Sequence, residues 1–176
     1  VRQAAEWVDF GSADKILGVL PQFHSFGLTV LTMLPLATGA RAVYTARFVP
    51  RKLVELAKEH KPTALVAIPS MYNALRLLKD ADKQDFASLR FVVSGGEPLP
   101  AAVYDGFHEK FGIEINEGYG LTEATCLVSM NPTEGVRKIG SVGLVFPYTH
   151  VRILTTSGAI GFILDQFEDI EPFAVI

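Results

Sequence analysis

One cysteine, Cys126, stands in the 176-residue sequence, so no internal disulfide can form and no cysteine cluster can bind zinc. This fits a reducing compartment, and a cytoplasmic setting is expected, with peripheral attachment to a membrane left open. Long apolar runs are missing too. The longest, residues 25–40, is too short to span a bilayer and is broken by Pro35, so no transmembrane segment is expected. Neither sign of charge dominates: 16 Lys and Arg stand against 19 Asp and Glu, and the net charge of -3 is spread along the chain. That excludes the basic stripe of a nucleic-acid binder and a polybasic membrane surface. The opening Val1-Arg2-Gln3-Ala4-Ala5-Glu6 has no initiator Met and no apolar secretory region, so the chain is expected to begin inside a longer protein. Repeats, low-complexity tracts and flexible linkers are absent from the sequence as well.

What is present is a globular composition, 49% hydrophobic, arranged as short apolar runs alternating with helical patterns. Residues 16–20 read as a buried strand, followed by an apolar helix over 26–38 and a second strand over 41–45. Pro50 fits the first turn of a helix, where a missing amide hydrogen costs nothing; Leu53, Val54 and Ala57 share its inner face, and Pro62 follows its end. A third strand, 64–68, leads to a helix opened by Pro69 with Met71, Tyr72, Leu75 and Leu78 on one face. A fourth, 89–93, leads to a helix opened by Pro100, where Val103, Phe107 and Phe111 recur before Gly112 stops it. Residues 113–116 form the fifth strand, 126–130 a further one, 131–140 a polar loop, and 150–154 a strand before a turn at Ser157-Gly158. Residues 162–176 show no clear period.

Wholly apolar strands each followed by an amphipathic helix predict an α/β fold: a mostly parallel sheet with helices on both faces, followed by the start of a β-rich subdomain. We divide the chain at 1–144 and 145–176. Such sheets bind ligands beyond the carboxyl ends of their strands, so functional residues are expected just after Leu20, Val93 and Asn116.

Three segments stand at those places. In Asn116-Glu117-Gly118-Tyr119-Gly120-Leu121-Thr122-Glu123-Ala124-Thr125 an aromatic lies between two glycines, and a hydroxyl and a carboxylate follow. Glycines let a flat ligand approach the backbone, Tyr119 offers a ring face, Thr122 can donate to a phosphate oxygen, and Glu123 is a hard oxygen ligand suited to Mg²⁺. Gly-Tyr-Gly alone reads more readily as a strand-to-helix turn with Thr122 as a cap. Ser94-Gly95-Gly96-Glu97-Pro98-Leu99-Pro100 follows the fourth strand; taken alone it is a tight turn before a helix. Pro21-Gln22-Phe23-His24-Ser25-Phe26-Gly27-Leu28 follows the first strand; a lone His there is more often a cap than a catalytic group. The neighbouring of Ser94–Pro98 and Gly118–Glu123 at one edge of the sheet is the geometric expectation.

The ten-residue string closely resembles the adenine- and phosphate-binding motif of the adenylate-forming, AMP-binding superfamily, and the three segments occur in that family's order. The resemblance runs from about Ala4 to about Leu154, includes Lys138-Ile139-Gly140-Ser141-Val142-Gly143, and fades beyond Gly161. It points to the acyl-CoA synthetase or fatty-acid–CoA ligase type, with this chain an internal fragment of the large N-terminal domain.

The resemblance implies ATP-dependent activation of a carboxylic acid to an acyl-adenylate and then a thioester with CoA, with ATP, CoA and Mg²⁺ as partners. It carries catalytic roles to Thr122 and Glu123, with Glu123 as the metal ligand. ATP binding falls to Gly95, Gly96, Glu97, Pro98, Asn116, Glu117, Gly118, Tyr119, Gly120, Leu121 and Thr122, and the acyl pocket to His24, Phe26 and Gly27. No acidic residue stands near Phe23 to Leu28 to hold a substrate amine, which favours a fatty or other apolar acid. An aryl acid, an amino acid, an acyl group destined for a carrier protein, and a non-catalytic nucleotide-binding remnant remain the alternatives. The family's phosphate loop with its lysine, its ribose-binding aspartate and its small C-terminal domain are expected from other parts of the same enzyme. Thr155-Thr156-Ser157-Gly158 is followed by no lysine, and of the family's Pro-x-Pro-Gly turn only Pro147 stands here. The fragment alone is therefore expected to be inactive.

Overall fold

A computed structural model describes residues 1–154 and 160–164 of the chain. Its centre is a seven-stranded sheet in the order β2-β1-β3-β4-β5-β6-β7. The strands are β1 (Lys15–Gly18), β2 (Arg41–Tyr44), β3 (Ala64–Ala67), β4 (Phe91–Ser94), β5 (Asn116–Tyr119), β6 (Ser129–Met130) and β7 (Leu144–Val145). From β2 across to β5 all pairs are parallel; β6 and β7 are added antiparallel. A separate antiparallel pair follows, β8 (Val151–Leu154) with β9 (Ile160–Leu164).

Every residue of β3 and β4 is buried, which requires cover on both faces. One cover is α1 (Arg2–Trp7) with the helical stretch 25–38. That stretch comprises α2 (Ser25–Gly27), a π-helical segment (Leu28–Met33) and α3 (Leu34–Thr38). Ala4, Val8, Val30 and Leu34 from these helices face Ile16, Val66, Phe91 and Val93 across an apolar cavity of about 40 Å³. The alternate strand residues Leu17, Leu65 and Val92 are equally buried and serve the opposite face. There the cover is α4 (Pro50–His60), α5 (Pro69–Arg76) and α6 (Ala101–Phe111), which bury Leu53, Ala57, Tyr72, Leu75, Phe107 and Phe111.

Tyr72 ties this layer to the sheet. Its hydroxyl donates to the Val93 carbonyl at 2.6 Å, and its ring meets Phe107 edge-on at 5.2 Å. Burial pushes its phenol well above the ordinary value, so it stays a neutral donor. Pro50 and Pro69 open α4 and α5 as the sequence indicates, and Gly112, with φ 69°, closes α6.

Several elements depart from the sequence reading. The helix α1 and the 3-10 turn Lys83–Phe86 were not expected. Reciprocal capping by Asp82 and Asp85 closes that turn, an Asp-x-x-Asp spacing visible in the sequence. The fifth strand lies at 116–119 and not 113–116, because Asn116 is the residue that draws level with Val93 of β4; Ile115 enters the core before pairing starts. Of the strand expected over 126–130 only Ser129–Met130 pairs, since Thr125 (φ 58°) and Cys126 (φ 83°) are still turning. The turn at Ser157-Gly158 and residues 165–176 lie outside the described residues.

Candidate functional site

The loops after β1, β4 and β5 meet at the carboxyl ends of the strands. β4 and β5 are neighbours, with Ser94 level with Glu117, so the segments beginning at Gly95 and Gly118 run side by side as expected. Together with the start of α2 they enclose a cavity of about 180 Å³. Nine of the residues picked out in the sequence line it: His24, Phe26, Gly95, Gly96, Gly118, Tyr119, Gly120, Leu121 and Thr122.

On the β1 side, the His24 Nδ1 accepts from the Phe26 N–H at 3.2 Å and so caps α2. In the neutral ring the proton therefore sits on Nε2, which is left to face solvent or a ligand. Gly27 is buried behind this turn, where a Cβ would fall 2.1 Å from the Pro21 carbonyl oxygen. Its part is to let the loop lie against the helix.

On the β5 side the backbone is tight. The Cys126 N–H donates to the Leu121 carbonyl at 2.8 Å, closing a turn around the 3-10 segment Thr122–Ala124. That places the Cys126 carbonyl oxygen only 1.5 Å from where a Cβ on Gly120 would be, so nothing but glycine fits. Tyr119, 43% exposed, keeps its ring free at the cavity wall. Thr122 and Glu123 are both exposed at the turn. The Thr122 Oγ1 lies 2.9 Å from the Ser25 Oγ, a hydrogen bond that joins the two sides of the cavity.

On the β4 side, a Cβ on Gly95 would stand 3.1 Å from the Phe26 ring and 3.4 Å from the Gly118 carbonyl oxygen, so glycine lets the three segments close up. Glu97 and Pro98 are exposed beside the cavity without lining it. Asn116 and Glu117 lie behind its wall. The Asn116 Nδ2 donates to the Val92 carbonyl at 3.2 Å, and the buried Glu117 carboxylate accepts from the Leu99 N–H at 2.8 Å, tying the β4 loop to β5.

Besides Val93 and Ser94 at the end of β4, six further lining residues escaped sequence reasoning: Ser25, Cys126, Leu127, Ser129, Met130 and Phe146. Ser25 lay inside a segment already singled out. The other five arrive through the turn after β5 and the antiparallel return of β6 and β7, which has no local periodicity to reveal it. Burial pushes the Cys126 thiol above its ordinary value, against a hydrogen bond with Thr29.

Among the described residues no group of three or more His, Cys, Asp and Glu side chains could hold a metal by itself. Glu123, next to Thr122 in sequence, is exposed at the turn without lining the cavity; a lone carboxylate is compatible with Mg²⁺, which takes one or two protein carboxylates and fills its shell with phosphate oxygens and water. No helix among the described residues is long and apolar enough to cross a membrane.

A sequence profile of the AMP-binding enzyme family matches residues 1–160. A long-chain-fatty-acid–CoA ligase of Bacillus subtilis (strain 168) is 32% identical over 141 residues, covering 80% of this chain and 25% of the ligase. A probable 4-coumarate–CoA ligase 3 of Dictyostelium discoideum is 34% identical over 158 residues, covering 88% and 28%. Among solved structures, ATP-bound MatB from Rhodopseudomonas palustris superposes with a TM-score of 0.83 at 26% identity, over 90% of this chain and 31% of that one. The chain thus spans about a quarter of the length of the curated relatives it matches.

Proposed function

The chain belongs to the AMP-binding enzyme family, and on that premise we propose that it carries part of the ATP and acid site of an AMP-forming acid–CoA ligase. The observation that carries this reading is the single cavity into which His24 and Phe26 project from one side and Gly118 to Thr122 from the other. A nucleotide and an acid can meet there.

In the first half-reaction an oxygen of the substrate carboxylate forms a bond to the α-phosphorus of ATP as the bond from that phosphorus to pyrophosphate breaks. Charge gathers on phosphate oxygens, so orientation and electrostatic neutralisation are the main tasks. Tyr119 offers its ring to the adenine, with Gly95, Gly96, Gly118 and Gly120 permitting close approach. The Thr122 hydroxyl donates to the α-phosphate. Glu123 would hold Mg²⁺, which supplies positive charge against the phosphates when bound. In the second half-reaction the CoA thiol gives its proton to water, its sulfur bonds to the acyl carbon, and the bond from that carbon to the AMP oxygen breaks, so that AMP leaves with the bonding electrons. His24, held by its cap to Phe26, shapes the acid side without having to transfer a proton.

The acid is read as fatty or otherwise apolar. Phe26, Leu127, Met130 and Phe146 give the cavity an apolar wall, and His24 to Leu28 offer no carboxylate for a substrate amine. The acids named for the two curated relatives, a long-chain fatty acid and 4-coumarate, are both largely apolar. The test is thioester formation by the full-length protein across aliphatic, aryl and amino acids, with ATP and CoA. Turnover confined to amino acids, or none with any acid, overturns the reading. The 176 residues assayed alone are expected to release no pyrophosphate, because the family's phosphate-loop lysine and C-terminal lysine have no counterpart among the residues matched here.

A further inference from the structure

The Ser25–Thr122 contact joins residues 97 positions apart in sequence and spans the cavity mouth between the start of α2 and the turn after β5. Each hydroxyl has one proton to give and two lone pairs, and each lines the cavity. One hydrogen bond between them uses a single proton, so the pair holds one O–H in reserve. The 2.9 Å distance allows either direction. Which direction holds decides which side chain can donate to a ligand.

We infer that Ser25 is a positioning residue: its hydroxyl donates to the Thr122 Oγ1 and thereby turns the Thr122 O–H into the cavity toward a phosphate oxygen. This rests on the reading of Thr122 as a phosphate ligand. Three features favour this direction. Thr122 is followed by Glu123 and stands where phosphate charge would collect, whereas Ser25 stands between His24 and Phe26 on the acid side. The opposite direction would consume the Thr122 proton and present its lone pairs to an anion, which is repulsive. In the chain Ser25 O–H to Thr122 O–H to phosphate, accepting one hydrogen bond polarises the Thr122 hydroxyl and strengthens the one it donates. The geometry also has a structural cause. His24 spends its Nδ1 on the Phe26 N–H, which fixes the first turn of α2 and so fixes where the Ser25 Cβ points.

Orientation of a donor that acts on developing phosphate charge is felt mainly in the transition state. The experiment uses the full-length protein in ATP–pyrophosphate exchange with an apolar acid. It compares wild type, Ser25→Ala, Ser25→Thr, Thr122→Val and the Ser25→Ala/Thr122→Val double variant. We expect Ser25→Ala to lower kcat roughly three- to tenfold, the loss of one neutral hydrogen bond, with the KM for ATP within about twofold of wild type. Ser25→Thr should restore kcat, since it keeps the hydroxyl. The double variant should be no slower than Thr122→Val, because Ser25 acts only through Thr122. A merely structural serine would instead lower the melting temperature without changing kcat, or add its effect to that of Thr122→Val; either result overturns the inference. If wild type exchanges pyrophosphate and Thr122→Val is as fast, the phosphate role of Thr122 falls and this inference with it. If Thr122→Val is slow but Ser25→Ala is not, only the inference about Ser25 falls.

Discussion

The Tyr44 hydroxyl donates to the backbone carbonyl of Leu31, in the middle of the helical stretch 25–38. Pro35 explains why that carbonyl needs a partner. Four residues on from Leu31, it has no N–H to give and its ring crowds the Leu31 oxygen. The chain answers by widening into a π-helical segment, in which the Leu34 N–H reaches back to the Thr29 carbonyl. Tyr44 then covers what is left. It comes close enough only because Gly18 has no side chain, as a Cβ there would lie 2.8 Å from the tyrosine ring. Tyr44→Phe should therefore cost about 1 kcal/mol of stability in urea titration. The cost should shrink when combined with Pro35→Ala, which restores an N–H for the Leu31 carbonyl. Equal costs in both backgrounds would mean that the hydroxyl and the proline are not coupled.

At the other end of the sheet, Asp14, Thr63 and Arg90 each directly precede a strand, and they form one network. The Arg90 Nε and Nη2 donate to the two Asp14 carboxylate oxygens at 2.9 and 2.7 Å, and the Thr63 hydroxyl adds a bond at 2.7 Å. Burial pushes the Asp14 carboxyl up. The hydrogen bonds from Arg90, Thr63 and the Gly11 N–H and the charge of Arg90 outweigh it, bringing the pKa to about 2. A carboxyl depressed on folding stabilises the protein above its unfolded value, near 4, and that contribution is lost as pH falls through 4 toward 2. The amount is about 2 kcal/mol at most. Urea midpoints at pH 5 and pH 2.5 should drop by less in Asp14→Asn than in wild type, and an equal drop would remove Asp14 from the acid response.

The parallel core was legible because β3 and β4 are buried at every position and the helices after β2 and β3 open on proline. Pro50 and Pro69 stand at the first helical residue in the structure as in the reading. The cavity was legible in part because its two main walls are continuous segments following neighbouring strands. What escaped was whatever depends on distant chain. Met130 and Phe146 reach the cavity by antiparallel pairing with no tight-turn signal between them, and the 25–38 helix hides its π segment because Pro35 at a helix interior reads simply as a break. Asn116 and Glu117, picked out with their motif, carry hydrogen bonds that only the packed loops reveal.

Two glycines of the site should respond very differently to alanine. At Gly120 the added Cβ meets the Cys126 carbonyl oxygen at 1.5 Å, a backbone atom held by the turn, so Gly120→Ala must open residues 121–126. At Gly95 the nearest atoms belong to the Phe26 ring at 3.1 Å, which can shift by a few tenths of an ångström. We expect Gly120→Ala to lose nucleotide binding by at least tenfold, or to lose about 3 kcal/mol or more of stability. Gly95→Ala should stay within about 1 kcal/mol of wild type and act chiefly on the KM for the acid. Calorimetric titration with ATP beside urea denaturation separates the two, and wild-type ATP affinity and stability in Gly120→Ala would refute the turn assignment.

In the full-length protein, Glu123→Gln and Tyr119→Ala should fail in different ways. Glu123 is exposed at the turn, next to Thr122 in sequence. Glutamine keeps its size and one oxygen but removes the charge that would hold Mg²⁺. Because a metal contact acts mainly on the phosphate charge of the transition state, adenylate formation should fall by orders of magnitude in kcat. Tyr119, 43% exposed as a residue, lines the cavity. Stacking on adenine binds ground state and transition state about equally, so Tyr119→Ala should mainly raise the KM for ATP. Base–aromatic stacking is worth roughly 1–3 kcal/mol, which corresponds to about a five- to hundredfold increase. Pyrophosphate exchange with ATP and Mg²⁺ varied separately distinguishes the two. A wild-type kcat and Mg²⁺ dependence in Glu123→Gln would take that carboxylate out of the metal site, and an unchanged ATP KM in Tyr119→Ala would take the ring off the adenine.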